Sequence, residues 1–266
     1  MRKVLFKLTM VLFLLMCFVS FAFAGPTIDS ILKKNELVVG TSADLPPMNF
    51  KAKDGNPKGF DIDLSRMIAA AMNVKLRIEV MPFDQLIPAL ESGKIDMIIS
   101  CMTITPERNL RVAYIGPYFM SGQSLLTTKD IAVGINDVND INKSNFSIAL
   151  QTGTTTEKIA KMILPKAKLV VVKSPEEALN LLQKKKVKAL MSDYPYTSVV
   201  SFKYKNKGFV ANPPFSAEPL GIAIRQDDSL LTNLLENMLA TFKGSGLLDQ
   251  MTKRWFTDPA WIADLP

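Results

Sequence analysis

Two stretches of the chain repeat one order of elements, and that repeat limits the folds open to it. Residues Gln85–Thr103 read as a helix ended by Gly93, a lysine, a short apolar strand over Ile95–Ile99, then polar residues at the strand's carboxyl end. Residues Ser174–Asp193 read the same way. A helix to Gln183 is followed by the basic run Lys184–Lys186, an apolar strand over Val187–Met191, then Ser192 and Asp193. A short apolar run bounded by turn signals fits a strand buried on both faces. Such strands alternating with helices build a mainly parallel α/β sheet. Two copies of the unit predict two similar α/β lobes, each turning one corner toward a shared cleft. Ligands of such sheets bind at the carboxyl ends of the strands.

The two corners carry opposite charge. After the first strand comes Ser100-Cys101-Met102-Thr103-Ile104-Thr105-Pro106-Glu107-Arg108. Thr105-Pro106 has the form of an N-cap followed by proline in the first helical turn. The Thr103 hydroxyl, free backbone N–H groups and the Arg108 fork thus leave one strand end together. A planar guanidinium can hold both oxygens of a carboxylate, which suits this set to an anionic group. Taken alone, the spacing favours a plain helix start with Glu107 and Arg108 in solvent, and the rest of the chain reverses that balance. The second corner supplies Asp193, an anion facing that cation. Its plainer reading is the N-cap of a helix over Tyr196–Phe202.

The front of the chain is a separate device. Arg2, Lys3 and Lys7 precede an apolar run over Leu8–Val19, and Ala22-Phe23-Ala24 has the small-x-small form of a signal-peptidase site. Residues 1–24 are therefore expected to be a secretory signal cleaved before Gly25. Cys17 does not fit a lipid-attachment site well, because the bulky Met16 precedes it.

Taking 24 residues from 266 leaves 242, enough for one large or two medium domains. The signal holds three of the 32 basic residues and none of the 25 acids, so the mature net charge is +4. That is little reason to expect a nucleic-acid or membrane-surface partner. Cys101 is then the one cysteine left, so no internal disulfide can form. The chain has no histidine. This excludes Ser-His-Asp and Cys-His hydrolases, and neither a zinc site nor a cofactor is expected.

The remaining segments fill in the lobes. Glu36–Gly40, Leu76–Val80, Phe146–Leu150 and Pro219–Ile224 read as strands. Asp61 is expected to cap a helix that runs to Met72, and Asp61 and Asp63 read as helix-terminal acids rather than metal ligands. Gln151-Thr152-Gly153-Thr154-Thr155-Thr156-Glu157 opens another helix, with Thr154 and Glu157 spaced as a capping box. Hydroxyls and N–H groups gather there too, as an anion requires. The stretch lacks the lysine and second glycine of a P-loop. Ser229–Phe242 carries Leu231, Leu234, Leu235 and Leu239 as a core stripe. A last helix is expected over Met251–Phe256. Ser121–Ser124 and Ser216–Pro219 are the two places where the chain can cross between lobes. This divides the mature chain into 25–122 with 219–266, and 123–218.

Taken as a set, these motifs resemble the extracytoplasmic amino-acid-binding proteins of ABC transporters, solute-binding protein family 3. The resemblance runs from Leu37 to Phe256. It is carried by Val38-Val39-Gly40-Thr41-Ser42-Ala43-Asp44-Leu45-Pro46-Pro47, Gly59-Phe60-Asp61-Ile62-Asp63-Leu64, Ile87-Pro88-Ala89-Leu90, Gly93-Lys94-Ile95-Asp96, Thr103–Arg108, Gly153-Thr154-Thr155 and Ser192-Asp193. It implies the two-lobed periplasmic-binding-protein fold, type II, with the α/β lobes joined by a two-strand hinge. By the same likeness Arg108 holds the ligand's α-carboxylate, helped by Thr103 and by backbone groups near Cys101 and Thr155. Asp193 takes the α-ammonium and Phe83 forms an apolar wall. Ser42, Leu45, Ser100, Gln151, Thr154 and Ser192 surround the rest.

Leu45 stands where many relatives carry an aromatic residue, and Ser42 stands where binders of cationic amino acids often place an acid. Ser192 carries no charge either, and a buried cationic head needs an anionic partner, which nothing here supplies apart from Asp44. An uncharged ligand side chain is therefore expected. The implied protein is a monomer in the periplasm or outside the cytoplasmic membrane, delivering an amino acid to a membrane permease. Two alternatives stay open: an enzyme of the cyclohexadienyl dehydratase type on the same scaffold, and a sensor acting through a separate partner.

Overall fold

The computed structural model describes residues 26–226 and 228–266. The expected signal segment, its cleavage point and Cys17 lie outside the described residues. After a helix at Pro26–Lys34, β1 (Glu36–Thr41) leads into a small antiparallel sheet of β2 (Asp44–Leu45), β3 (Asn49–Lys51) and β4 (Pro57–Lys58). Helix Phe60–Ala71, β5 (Lys75–Val80), helix Leu86–Glu91 and β6 (Met97–Ile98) follow. A single turn at Pro106–Asn109 precedes β7 (Ala113–Ser121) and β8 (Gln123–Thr128). Then come β9 (Ser147–Gln151), helix Thr155–Ile163, β10 (Lys168–Val172), helix Pro175–Gln183 and β11 (Ala189–Asp193). Helix Tyr194–Lys203, β12 (Phe209–Ala211), β13 (Glu218–Ile224) and helices Ser229–Gly244 and Leu247–Thr252 complete the order.

Two five-stranded sheets organise these elements, ordered β5-β1-β6-β13-β7 and β10-β9-β11-β8-β12. The first three strands of each run parallel, and the last two join antiparallel. The repeated unit of the sequence thus places β6 and β11 at the same central position of their sheets. This is the two-lobed α/β arrangement of the type II periplasmic-binding fold. The chain leaves the first sheet at Ser121, enters the second at Gln123, and returns through β13, where Glu218 pairs with Ser121. At the crossing the Gln123 N–H donates to Ser216 Oγ at 2.8 Å, and the Phe215 N–H donates to Gln123 O at 2.9 Å.

Burial follows the expected stripes. Leu231, Leu235 and Leu239 of the long helix are buried, and Leu234 packs against the same core half-buried. The helix continues through Gly244 and stops before Gly246, which is left-handed at φ 76°. Such a backbone favours glycine. The last helix begins earlier than expected and gives way to a π turn at Lys253–Thr257. Trp255 and Trp261 of this end pack on Phe50, with ring centroids 6.0 and 5.5 Å away.

Strands β7, β8, β10 and β12 were not anticipated from the sequence. Gly116, Pro117 and Gly122 punctuate the β7–β8 region and hide its strand pattern. The expected capping box at Thr154, and the matching Ser174–Glu177 start of the helix Pro175–Gln183, are shifted by one residue. Thr154 and Ser174 accept from the N–H groups of Glu157 and Glu177 at 3.2 Å. The glutamates reach back to the residue before the cap, accepting from Gly153 N–H at 2.8 Å and Lys173 N–H at 3.0 Å.

Candidate functional site

The strand ends and helix starts of the two sheets meet around one cleft. All twelve residues singled out from the sequence line it: Ser42, Leu45, Phe83, Ser100, Cys101, Thr103 and Arg108 from one side, Gln151, Thr154, Thr155, Ser192 and Asp193 from the other. Asp44, Thr156 and Met191 also line it. Thr156 and Met191 adjoin expected wall residues, which is the one signal that could have found them. Asp44 had been considered only as a possible anion.

Arg108 is set by local structure. Thr105 caps its helical turn, accepting from the Arg108 N–H at 3.2 Å, with Pro106 in the first turn. The side chain is then 7% exposed and folds over the Phe83 ring, 5.4 Å from its centroid. It donates to Thr103 O at 2.9 Å and, across the cleft, to Gly153 O at 3.1 Å. Neutral carbonyls occupy two N–H groups and leave the charge unmatched. Burial accordingly depresses its pKa, while Tyr114, Asp193 and Glu218 nearby oppose that.

Asp193 is not the helix cap that local reading allows. It stands at the cap position but its side chain makes no capping bond. It accepts instead from Ser121 Oγ at 2.9 Å, on the strand that crosses between the sheets. It is buried, 9% exposed. Burial pushes its carboxyl up to about 7, Glu218 adds to the rise, and the Ser121 hydroxyl and Arg108 oppose it.

Asp61 departs from expectation. The cap position of its helix is Gly59 at φ 129°, and Asp61 lies in the first turn. Its carboxylate accepts from Asn49 Nδ2 at 2.7 Å, Cys101 N–H at 2.8 Å and Tyr118 Oη at 2.8 Å. It thereby holds Cys101 in a left-handed conformation, φ 50°. Burial raises Asp61 to about 7 and lifts the Cys101 thiol well above its usual range. A serine shelf extends from this anchor. Ser42 Oγ donates to Asn49 Oδ1 at 3.1 Å, and Ser100 Oγ accepts from the Ser42 N–H at 2.9 Å.

The walls touch across the cleft. Thr103 Oγ1 and Thr155 Oγ1 are 3.3 Å apart, Gln151 Nε2 donates to Asp44 Oδ2 at 3.2 Å, and Lys158 pairs with Glu107 at the rim. Among the described residues no cluster of three or more His, Cys, Asp or Glu could hold a metal, and no helix is long and apolar enough to cross a membrane.

Two lobes closing on a cavity with a buried guanidinium facing a buried carboxylate define a two-lobed solute-binding protein. The chain belongs to the bacterial extracellular solute-binding proteins, family 3, whose model matches residues 37–258. It is 30% identical over 224 residues to ABC transporter arginine-binding protein 1 of Escherichia coli (strain K12), covering 82% of this chain and 89% of that one. It is 30% identical to the ABC transporter glutamine-binding protein GlnH of Bacillus subtilis (strain 168), over 88% of this chain and 86% of that one. Among solved structures, an ancestral amino acid-binding protein described as a precursor of cyclohexadienyl dehydratase superposes with TM-score 0.81 and 40% identity, over 86% of this chain and 99% of that one. A putative ABC-transporter binding component from Wolinella succinogenes DSM 1740, complexed with lysine, gives 0.83 and 36%, over 86% and 99%.

Proposed function

We propose that this protein captures a free α-amino acid between its lobes outside the cytoplasm and hands it to the permease of an ABC importer. The observation that carries the reading is the pairing of Arg108 and Asp193 on facing walls. Each is buried with its charge unmatched by an ion pair among the described residues. A zwitterion satisfies both: its carboxylate meets the Arg108 fork beside the Thr103 and Thr155 hydroxyls, and its ammonium meets Asp193. Phe83 and Leu45 supply apolar walls, and Ser42, Ser100, Gln151, Thr154, Ser192 and the backbone near Cys101 line the remainder.

Closure follows from the same contacts, because Gly153 O reaches Arg108 from the opposite lobe. The lobes are assigned as 25–122 with 219–266, and 123–218, hinged at the two crossing strands. The protein works as a monomer, after loss of residues 1–24. Relatives that bind arginine, glutamine and lysine support the amino-acid class. Binding rather than dehydration is the reading favoured here, since a buried Asp193 in the cleft wall suits an ammonium clamp, a group that dehydration of a cyclohexadienyl substrate does not need.

The test uses the mature chain, unfolded and refolded to strip carried-over ligand. Its melting is recorded against each free L-amino acid, because a ligand that binds only the native state raises the melting temperature. A rise with one or a few amino acids, lost when the α-amine or α-carboxylate is blocked, is expected. A flat panel with a cooperatively melting protein, together with a response to prephenate or arogenate, overturns the reading in favour of the enzyme.

A further inference from the structure

We infer that Asp44 selects for a cationic ligand side chain, a conclusion that rests on the α-amino-acid reading above. The argument is one of charge balance within the cavity wall. Among the described residues that line it, Arg108 is the one cation, and Asp44 and Asp193 are the two carboxylates. A zwitterionic backbone neutralises Arg108 and Asp193. One negative charge, that of Asp44, then remains.

The surroundings of Asp44 leave that charge uncompensated. Among the described residues it takes part in no ion pair within 4.0 Å. Its partner across the cleft is the neutral amide of Gln151, which donates to Oδ2 at 3.2 Å and also to Lys173 O at 3.2 Å. Burial raises the Asp44 carboxyl, while the Ser42 hydroxyl and the Gln151 amide pull it back. A half-buried carboxylate held by neutral donors gains from a cation placed against it. The Gln151 bond also ties this carboxylate to lobe closure, since its two ends come from opposite lobes.

Asp44 lines a second pocket as well, along with Phe50, Tyr196 and Tyr204. Asp44 thus borders both spaces. Lys51 and Lys203 also line that second pocket, with Glu176, but neither lysine pairs with Asp44. The expectation of an uncharged side chain rested on Ser42 standing where an acid often stands in binders of cationic amino acids. The position of Asp44 in the wall changes that balance toward arginine, lysine or ornithine.

Titration calorimetry on the refolded chain, with arginine and its neutral near-isostere citrulline, tests this. Arginine should bind at least about 30-fold more tightly than citrulline, the ratio expected when one member of a desolvated charge pair is removed. Asp44→Asn should collapse that ratio to within about threefold, and Asp44→Glu, which keeps the charge, should restore a preference for arginine. Citrulline binding as well as arginine, or an unchanged ratio in Asp44→Asn, overturns the inference and leaves the amino-acid reading intact. Failure of every free amino acid to bind overturns both. Circular dichroism of both variants separates loss of selectivity from loss of fold.

Discussion

Binding should strengthen as pH rises through 7, and Asp193 is the reason. In the ligand-free cleft its carboxyl is pushed up to about 7 by burial. The ammonium of a ligand needs the ionised form, so below that value a proton must leave as the ligand enters. Ionisation at about 7 implies roughly 90% carboxylate at pH 8 and about 1% at pH 5, a loss of about 90-fold in affinity, or near 2.7 kcal/mol at about 1.4 kcal/mol per tenfold. Arg108 does not titrate in this window. Asp61 also sits at about 7 but lies behind the Cys101 backbone, so its proton is held alike with and without ligand. Asp44 is kept out of the slope by using a ligand with a neutral side chain, which leaves it unpaired. Calorimetry at pH 6 in two buffers of different ionisation enthalpy should show release of about 0.9 proton per ligand bound. An affinity that changes less than about threefold between pH 5 and 8, or no proton release at pH 6, refutes the assignment of Asp193 as the ammonium clamp.

The ligand-free protein should show the opposite slope. The folded state keeps protons on Asp61 and Asp193 up to about 7, whereas unfolded carboxyls release them near 3.9. Stability is then greatest at low pH within that interval and falls as pH rises from about 4 to 7, by several kcal/mol in order of magnitude. Urea midpoints that rise over this range would count against it. Arg108→Ala should weaken amino-acid binding by about 2–5 kcal/mol, and unchanged affinity by calorimetry would remove Arg108 from the carboxylate site. Thr105→Ala removes the cap above Arg108 and should cost about 1 kcal/mol in urea unfolding while also lowering affinity. Stability lost with affinity intact would show that the cap does not position the guanidinium. At Gly122 an added Cβ would overlap Ser216 O and come within 2.8 Å of Pro214 Cβ. Gly122→Ala should therefore destabilise by about 1–3 kcal/mol and weaken binding at the crossing. A wild-type melting curve and affinity would refute that tight packing.

What could be read from the sequence was what local chemistry encodes. Thr105-Pro106 marks a cap whatever surrounds it, so the helical turn bearing Arg108 was legible, and the repeated unit put β6 and β11 at equivalent places. Asp61 shows where that legibility ends. Its position just after Gly59 signals a helix start. Its true partners, the Cys101 N–H and the Tyr118 hydroxyl, lie 40 and 57 residues away in sequence, and no periodicity reports such a meeting. The same limit applies to Asp193: its cap spacing was visible, its bond to Ser121 was not. Strands β7 and β8 escaped because proline and glycine at a crossing look like a loop, although the ladder between β13 and β7 carries the first sheet to its edge. Asp44 was weighed as an isolated acid because its neighbour Gln151 comes from the other lobe.

The pattern of partners explains why the site is a property of the closed molecule and not of either lobe. Arg108 takes one carbonyl from its own strand end and one from the opposite wall, at Gly153. Asp193 is held by a hydroxyl on the strand that carries the chain between sheets. Asp44 takes its amide from Gln151. Each charged wall residue thus has a neutral donor or acceptor that depends on closure or on the crossing strands. Neutral partners orient a buried charge, but they offset its desolvation less than an opposite charge does. Closure without ligand leaves that cost standing at Arg108 and Asp193, and in part at the half-buried Asp44. On the reading proposed above, a ligand carrying the complementary charges removes it at each, so its binding energy goes into holding the lobes shut.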